Sequence, residues 1–116
     1  MIRVLVCGGR EYSDLEKVYH VLSGIHKKHG IDLIIQGGAD GADKLARIWA
    51  HDLAVQCCTF HANWNGLGKA AGPIRNENML ELGKPDAVIA FKGGTGTAGM
   101  VRLAKEAGVT VWEPCK

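Results

Sequence analysis

Short apolar runs alternate along the chain with stretches in which apolar residues recur every three or four positions. The runs predict strands, and the periodic stretches predict helices that pack through one face. Because strands and helices alternate throughout, the pattern indicates parallel β-α-β units with right-handed crossovers. The predicted strands lie at Ile2–Cys7, Leu33–Ile35, Val55–Phe60, Asp86–Phe91 and Val109–Trp112.

The predicted fold is a three-layer, Rossmann-like α/β sandwich with a five-stranded parallel sheet in the order 3-2-1-4-5. The strands read as apolar throughout, which is typical of strands buried on both faces. With 116 residues and 47% hydrophobic content, residues 1–116 are expected to form one domain, too short for separate cofactor and substrate lobes. Trp49 is expected in the core.

Local signals set the helix boundaries. Ser13 or Asp14 can cap the first helix and Gly30 ends it. Residues 61–72 lack either period, which predicts a functional or mobile loop. Pro73 suits the first position of a helix ending near Gly83, which would put Arg75 in the positive field of the first turn. An opposing anion is then implied, either a bound ligand or a carboxylate such as Glu77.

Composition and charge narrow the function classes. Lys and Arg total 14 against 12 Asp and Glu, and no window concentrates the basic residues, so duplex nucleic acid is not an expected partner. The chain opens directly into a strand pattern, and no apolar run reaches membrane-spanning length. A soluble, cytoplasmic protein without a membrane partner is expected.

Four cysteines show neither paired spacing nor the density of a secreted disulfide scaffold, so we expect them to be reduced. Cys57 and Cys58, followed by His61, suggest zinc at first sight. Adjacent residues on a strand point to opposite faces and cannot easily share one tetrahedral ion. We therefore expect no metal site.

Three of the predicted strands end in a pair of glycines, and the last pair begins Gly93-Gly94-Thr95-Gly96-Thr97 at the start of a helix. Glycines let backbone N–H groups approach an anion closely, and a helix start adds unpaired donors and partial positive charge. The alternative is an ordinary helix entry in which Thr95 or Thr97 caps. Since parallel strands end at one edge of a sheet, the three loops are expected to meet there.

Several side chains near these loops could hold a phosphorylated ligand. Arg10 and Lys69 could contact phosphate or be solvated. Trp64 could stack on a base or plug the loop. Asp43 could cap a helix, accept hydrogen bonds from ribose hydroxyls or orient water. No histidine pair or serine elbow of a known catalytic type is present. The predicted ligand-binding residues are Gly8, Gly9, Arg10, Gly37, Gly38, Asp43, Lys69, Arg75, Asn76, Gly93, Gly94, Thr95, Gly96 and Thr97.

Four motifs occur in order along the chain: Gly8-Gly9-Arg10-Glu11-Tyr12, the run 37–43, the run 68–76, and Gly93-Gly94-Thr95-Gly96-Thr97. Together they resemble the YspA-like, cpYpsA-related branch of the SLOG superfamily. The resemblance implies a Rossmann-like fold, a pocket for nucleotides or nucleotide-derived ligands, and a homodimer or higher homo-oligomer. The leading hypothesis is therefore a module that senses, carries or sequesters such a ligand.

The related cytokinin-activating phosphoribohydrolases have a Pro-Gly-Gly-x-Gly-Thr-x-x-Glu motif with a catalytic glutamate. Here Lys92 replaces the proline and Met100 replaces the glutamate, so that mechanism cannot be carried over directly. A nucleoside-phosphate N-glycosidase with a relocated carboxylate, Glu77 or Asp43, is the alternative. Asp40 also occupies a position where relatives are expected to have a basic residue, so the resemblance does not fix the charge of the ligand.

Two further alternatives concern larger ligands. The run 94–99 spells Gly-x-Gly-x-x-Gly and Glu113 follows about 20 residues later, as in dinucleotide-binding fingerprints. The chain ends soon after that acid, which argues against a nicotinamide site. Single-stranded nucleic acid is the other alternative, but a basic groove with interleaved aromatic residues is missing.

Overall fold

The structure is a computed structural model that describes residues 1–115. Five parallel strands form one sheet in the order β3-β2-β1-β4-β5. The predicted fold class and strand order are confirmed. The strands are β1 (Ile2–Cys7), β2 (Ile31–Gln36), β3 (Gln56–Thr59), β4 (Ala87–Ala90) and β5 (Thr110–Trp112).

Helices cover both faces of the sheet. They are α1 (Leu15–His29), α2 (Ala42–Asp52), α3 (Trp64–Leu67), α4 (Ala71–Gly83) and α5 (Thr95–Glu106). Helices α1 and α2 pack on one face in a cluster that contains Leu22 and Trp49. Helices α4 and α5 contribute Met79 and Met100 to a second cluster on the other face. The three-layer arrangement follows from these two apolar clusters.

Burial decreases from the centre of the sheet to its edges. The central strand β1 is buried from Val4 to Cys7, whereas β3 and β5 contain exposed residues. The prediction that each strand is apolar throughout was therefore wrong for the two edge strands, since each has only one neighbour in the sheet. Trp49 is fully buried, as predicted, and its indole N–H donates to Ser23 Oγ at 2.9 Å.

The predicted limits of α1 are confirmed. Asp14 Oδ1 accepts a hydrogen bond from the backbone N–H of Lys17 at 3.0 Å, and Gly30 ends the helix with a φ of 72°. Asp14 supplies the side-chain acceptor that a helix start requires, and Gly30 supplies a positive φ after the last turn, where its N–H donates to His26 O.

The segment 61–72 differs from its prediction as a long loop. It contains α3 and a short 3-10 turn, Gly68–Ala70, and α4 already begins at Ala71. The Asn63 side chain caps α3 by accepting from Gly66 N at 3.1 Å. Pro73 is thus the third residue of α4, where its missing N–H would have had no partner within the helix. Arg75 lies in the second turn rather than the first.

Within residues 1–115, no helix combines the length and the apolar character needed to cross a membrane. The same residues contain no group of three or more His, Cys, Asp or Glu side chains that could hold a metal ion. Cys7, Cys57, Cys58 and Cys115 are free thiols.

Candidate functional site

A cleft of about 830 Å³ opens beyond the carboxyl ends of the strands. We call it the larger cleft; its walls are the loop after β1, the start of α2, the segment containing α3, and residues from the first three turns of α4 and α5. It brings together most of the residues that the sequence nominated, although they come from distant parts of the chain. These are Gly8, Gly9, Arg10, Asp43, Lys69, Arg75, Asn76, Gly94, Thr95, Gly96 and Thr97.

The other nominated residues lie outside the lining of this cleft. Gly37 and Gly38 belong to the loop after β2 and line neither cleft, and Gly93 lines a neighbouring cleft. Glu77 is exposed on α4 and lines neither cleft. Of the two carboxylates nominated for catalysis, only Asp43 therefore lines the larger cleft.

Part of the glycine pattern serves contacts between loops. The N–H of Gly9 donates to the carbonyl oxygen of Lys92 at 2.9 Å, and a Cβ on Gly93 would lie 2.7 Å from Gly9 N. Gly38 has a φ of 76° and packs against the ring of His61. These glycines are needed because side chains would prevent the loops from approaching one another.

The glycines at the start of α5 have a different environment. A Cβ built on Gly94, Gly96 or Gly99 would meet no atom within 4 Å, and none of the three has a positive φ. Gly96 and Gly99 lie inside α5, where a glycine costs about 1 kcal/mol relative to alanine, and Gly94 is the N-cap. Since contacts within the fold do not require these glycines, the open space above them is where a ligand could approach the backbone closely.

Arg75 is held by polar groups on several sides. Its Nη1 donates to the carbonyl oxygen of Gly37 at 2.7 Å, and its Nε donates to Asn76 Oδ1 at 3.0 Å. Burial lowers the pKa of Arg75, while the nearby charge of Asp43 acts in the opposite direction. The carboxylate that compensates Arg75 is therefore Asp43, and the sequence-based suggestion of Glu77 was wrong.

Asp43 organises the loop after β2. Its Oδ2 accepts hydrogen bonds from the N–H groups of Gly37 at 3.1 Å and Ala39 at 3.2 Å. The N-cap of α2 is Gly41, so Asp43 does not cap that helix. Burial raises the pKa of Asp43, although the two N–H donors and Arg75 oppose the shift. A buried carboxylate with a raised pKa at a cleft is a candidate for proton transfer or for accepting a ligand hydroxyl.

Asn76 links the two helices that flank the cleft. Its side-chain Nδ2 donates to the carbonyl oxygen of Gly96 at 3.4 Å, and the residue is buried. The amide thus connects the second turn of α4 to the first turn of α5. Asn76 supports the glycine loop through this contact and lines the cleft as well.

Trp64 lies on the rim of the cleft and does not form the plug that we considered from the sequence. Its side chain is 49% exposed, and the guanidinium carbon of Arg10 lies 5.8 Å from the ring centroid. This distance is typical of a cation–π contact. Lys69, also exposed, lies in the 3-10 turn that follows α3 and lines the same cleft.

The lining is strongly asymmetric in charge. Among the described residues, its cations are Arg10, Lys69, Arg75 and Arg102, and its carboxylate is Asp43. Sequence reasoning missed Arg102, which lies one turn after Gly99 on α5 and could have been found from helical spacing. Met100 and Leu103 also line the cleft and were not nominated from the sequence.

Cys7 also reaches the floor of the cleft, at the end of β1. Burial, reinforced by the charges of Asp43 and Glu113, raises the pKa of this thiol to about 12. Since the thiolate is the nucleophilic form, Cys7 is not suited to attack a ligand at neutral pH.

A second cleft of about 680 Å³ adjoins the first, and we call it the smaller cleft. It lies between the loop after β1 and the loop after β4. Gly9, Arg10 and Gly94 line both clefts. The remaining lining residues are Glu11, Tyr12, Ser13, Asp14, Lys92 and Gly93.

The Gly-x-Gly-x-x-Gly run also has a defined context. It opens α5 between β4 and β5, which are adjacent parallel strands, and Glu113 directly follows β5. This strand–glycine loop–helix–strand–acid order is the arrangement in which the fingerprint binds dinucleotides in other proteins.

The comparisons with known proteins agree with this architecture. The model of the YspA, cpYpsA-related SLOG family matches residues 2–66. The chain belongs to this family. It is also 34% identical over 119 residues to the Gene 61 protein of Mycobacterium phage D29, an alignment that covers 96% of this chain and 94% of the phage protein.

A solved structure has the same fold. DNA processing protein A (DprA) from Streptococcus pneumoniae superposes with a TM-score of 0.78 at 20% sequence identity. The match covers 97% of this chain and 50% of DprA, so the SLOG chain described here spans half the length of that protein. At this identity the likeness establishes the Rossmann-like fold alone.

Proposed function

We propose that this SLOG protein binds a nucleotide or a nucleotide-derived phosphorylated ligand in the larger cleft, as a sensor, carrier or sequestering module. One observation carries the proposal: the open glycines at the start of α5 face a cleft whose lining contains four cations and one carboxylate. Unpaired backbone N–H groups at a helix start and nearby cations are what a phosphate group requires.

The other lining residues suit the rest of a nucleotide. A phosphate at Gly94, Thr95 and Gly96 would leave the base near the half-exposed ring of Trp64, on which it could stack. Arg10, which lies over that ring, would add a guanidinium near the phosphate. The Asp43 carboxylate, which also lines the cleft, could accept a hydrogen bond from a ribose hydroxyl.

Isothermal titration calorimetry against mononucleotides, cyclic nucleotides and ADP-ribose tests the proposal. At least one of these ligands should bind, and Arg10→Ala should weaken its binding about tenfold because one cationic contact is lost. Lys105→Ala is the matched control, since it removes a cation that lines neither cleft. If no phosphorylated ligand binds the unmodified protein, the proposal is wrong.

Hydrolysis of a nucleoside phosphate is the second candidate, and the position of Asp43 favours it over a purely passive site. The carboxylate is buried in the cleft with a raised pKa, a combination that suits a general acid or base. Water would then cleave the bond between base and ribose, so incubation with nucleotides should release free base and ribose phosphate in equal amounts, and Asp43→Asn should abolish the release. If nucleotides bind but no free base is released, the hydrolase hypothesis is wrong and the binding function stands.

Several expectations from the sequence stay predictions. A homo-oligomer would appear as a multiple of the 12.4 kDa chain mass in analytical ultracentrifugation. Because the structural neighbour is named for DNA processing, fluorescence anisotropy with single-stranded and duplex oligonucleotides tests the expected preference for small ligands. Binding of duplex DNA tighter than of any nucleotide would contradict that expectation. A cytoplasmic location is likewise a prediction for fractionation.

A further inference from the structure

The two clefts are halves of one continuous surface. Gly9, Arg10 and Gly94 line both, so the wall between them is formed by the loops after β1 and β4. The hydrogen bond from Gly9 N to Lys92 O, at 2.9 Å, joins these two loops. We call this wall the central ridge.

The central ridge has the properties of an anion site open on both sides. Arg10 and Lys92 carry positive charges on the two loops, and the first unpaired N–H groups of α5 follow Gly94. A Cβ on Gly94 would meet no protein atom within 4 Å, so the space above the ridge is open. A linear diphosphate could lie across the ridge with one end toward each cleft.

Different side chains line the two clefts. The larger cleft offers the half-exposed ring of Trp64 and the partly buried side chain of Leu103, which suit a planar base. The smaller cleft is lined by hydroxyl and charged groups from Glu11, Tyr12 and Ser13.

The aromatic residue of the smaller cleft is already engaged. The Tyr12 ring packs against Phe91 with centroids 5.3 Å apart, and its hydroxyl lies 3.5 Å from Cys115 Sγ. The other polar groups of this cleft are the Ser13 hydroxyl, the Glu11 and Asp14 carboxylates and the backbone. They favour a ligand group rich in hydroxyls over a second base.

We propose that the ligand is a nucleoside diphosphate joined to a sugar. The nucleoside occupies the larger cleft, the diphosphate crosses the central ridge, and the sugar occupies the smaller cleft. The inference rests on the proposed function and deepens it, because it names the ligand class and assigns a binding role to the smaller cleft.

Matched ligand pairs test the inference by isothermal titration calorimetry: ADP against ADP-ribose, and UDP against UDP-glucose. In one pair or both, the added sugar should strengthen binding about tenfold. Ser13→Phe fills the smaller cleft and should reduce that ratio to about one. Thr110→Phe adds the same ring to an exposed position at the start of β5, outside both clefts, and should leave the ratio unchanged.

Each outcome has a distinct meaning. If ADP or UDP binds and the sugar adds nothing, the inference is wrong and the proposed function stands; if nothing binds, both are wrong. Should thermal unfolding show that Ser13→Phe does not fold, Glu11→Trp fills the same cleft from an exposed position and replaces it. An unchanged ratio in a folded filling variant also overturns the inference.

Discussion

Arg75 Nη1 donates a 2.7 Å hydrogen bond to the carbonyl oxygen of Gly37, 38 residues earlier in the chain. The contact joins α4 to the loop after β2. It is possible only because residue 37 lacks a side chain: a Cβ there would overlap Nη1 and lie 2.8 Å from Cζ of Arg75. The guanidinium thus occupies the place that a side chain at residue 37 would fill.

Gly37→Ala should displace Arg75 and loosen the floor of the larger cleft. We expect a loss of about 1–3 kcal/mol in the free energy of unfolding, the usual cost of inserting a methyl group into a packed site. Nucleotide binding should also weaken, because Arg75 and Asp43 lose their positions. Urea unfolding and calorimetry measure the two effects.

Gly24→Ala is the matched control for Gly37→Ala. Gly24 lies within α1, and a Cβ there would meet no atom within 4 Å. This variant should be more stable than the unmodified protein by about 0.5–1 kcal/mol, because alanine has the higher helix propensity. Equal stability of the two alanine variants would contradict the steric role of Gly37.

Gly94→Val should change ligand affinity strongly and stability little, whereas Gly37→Ala should lower stability. The φ of Gly94 is −104° and a Cβ would meet no neighbour, so the free energy of unfolding should fall by no more than about 1 kcal/mol. The valine side chain would nevertheless occupy the open space above the start of α5. We expect ligand affinity to fall more than tenfold, measured by calorimetry beside a thermal unfolding scan. Unchanged affinity would show that the ligand does not approach this backbone.

Asp43 should give the protein a specific pH dependence. Because burial raises its pKa above the ordinary value of 3.8, the folded state holds this proton more tightly than the unfolded chain. The contribution of Asp43 to stability is therefore largest at low pH, and it declines as the pH rises through 3.8 toward the folded-state pKa. Asp43→Asn cannot ionise, so the free energy of unfolding of the unmodified protein minus that of the variant should decrease over this range.

Chemical denaturation measures the difference in unfolding free energy between the unmodified protein and Asp43→Asn. It is carried out at pH values from about 3.5 to about 7, in steps of about one unit. Asp32→Asn, at an exposed position of β2, controls for the loss of one negative charge. A difference that increases with pH would mean that Arg75 and the two N–H donors outweigh burial.

Trp64→Ala tests base recognition. Stacking of a base on an aromatic ring contributes about 1–3 kcal/mol, so the affinity for a base-bearing ligand should fall by roughly tenfold or more. Ribose 5-phosphate, which lacks a base, should bind both proteins equally, and Trp64→Phe should recover part of the loss.

Trp112→Ala is the control for Trp64→Ala, because the two side chains have nearly equal exposure, 48% and 49%, and Trp112 lines neither cleft. If Trp64→Ala weakens the binding of ribose 5-phosphate as much as that of the base-bearing ligand, Trp64 has a structural role and does not stack on the base.

The sequence alone determined the architecture. Apolar runs, helical periodicity and glycines at strand ends are local signals, and parallel strands separated by helices leave few possible topologies, so the strand order and the meeting of the glycine loops could be predicted. The nomination of Arg10 and Thr95 needed only their positions beside those glycines.

Only the tertiary structure decided how the side chains are paired. Asp43 rather than Glu77 compensates Arg75, because α4 begins two residues before Pro73 and packs beside the loop after β2. The exposure of Trp64 and the smaller cleft likewise depend on how separate loops pack. Such contacts join residues far apart in the chain, and their geometry is set by the packing of whole elements, which no local pattern encodes.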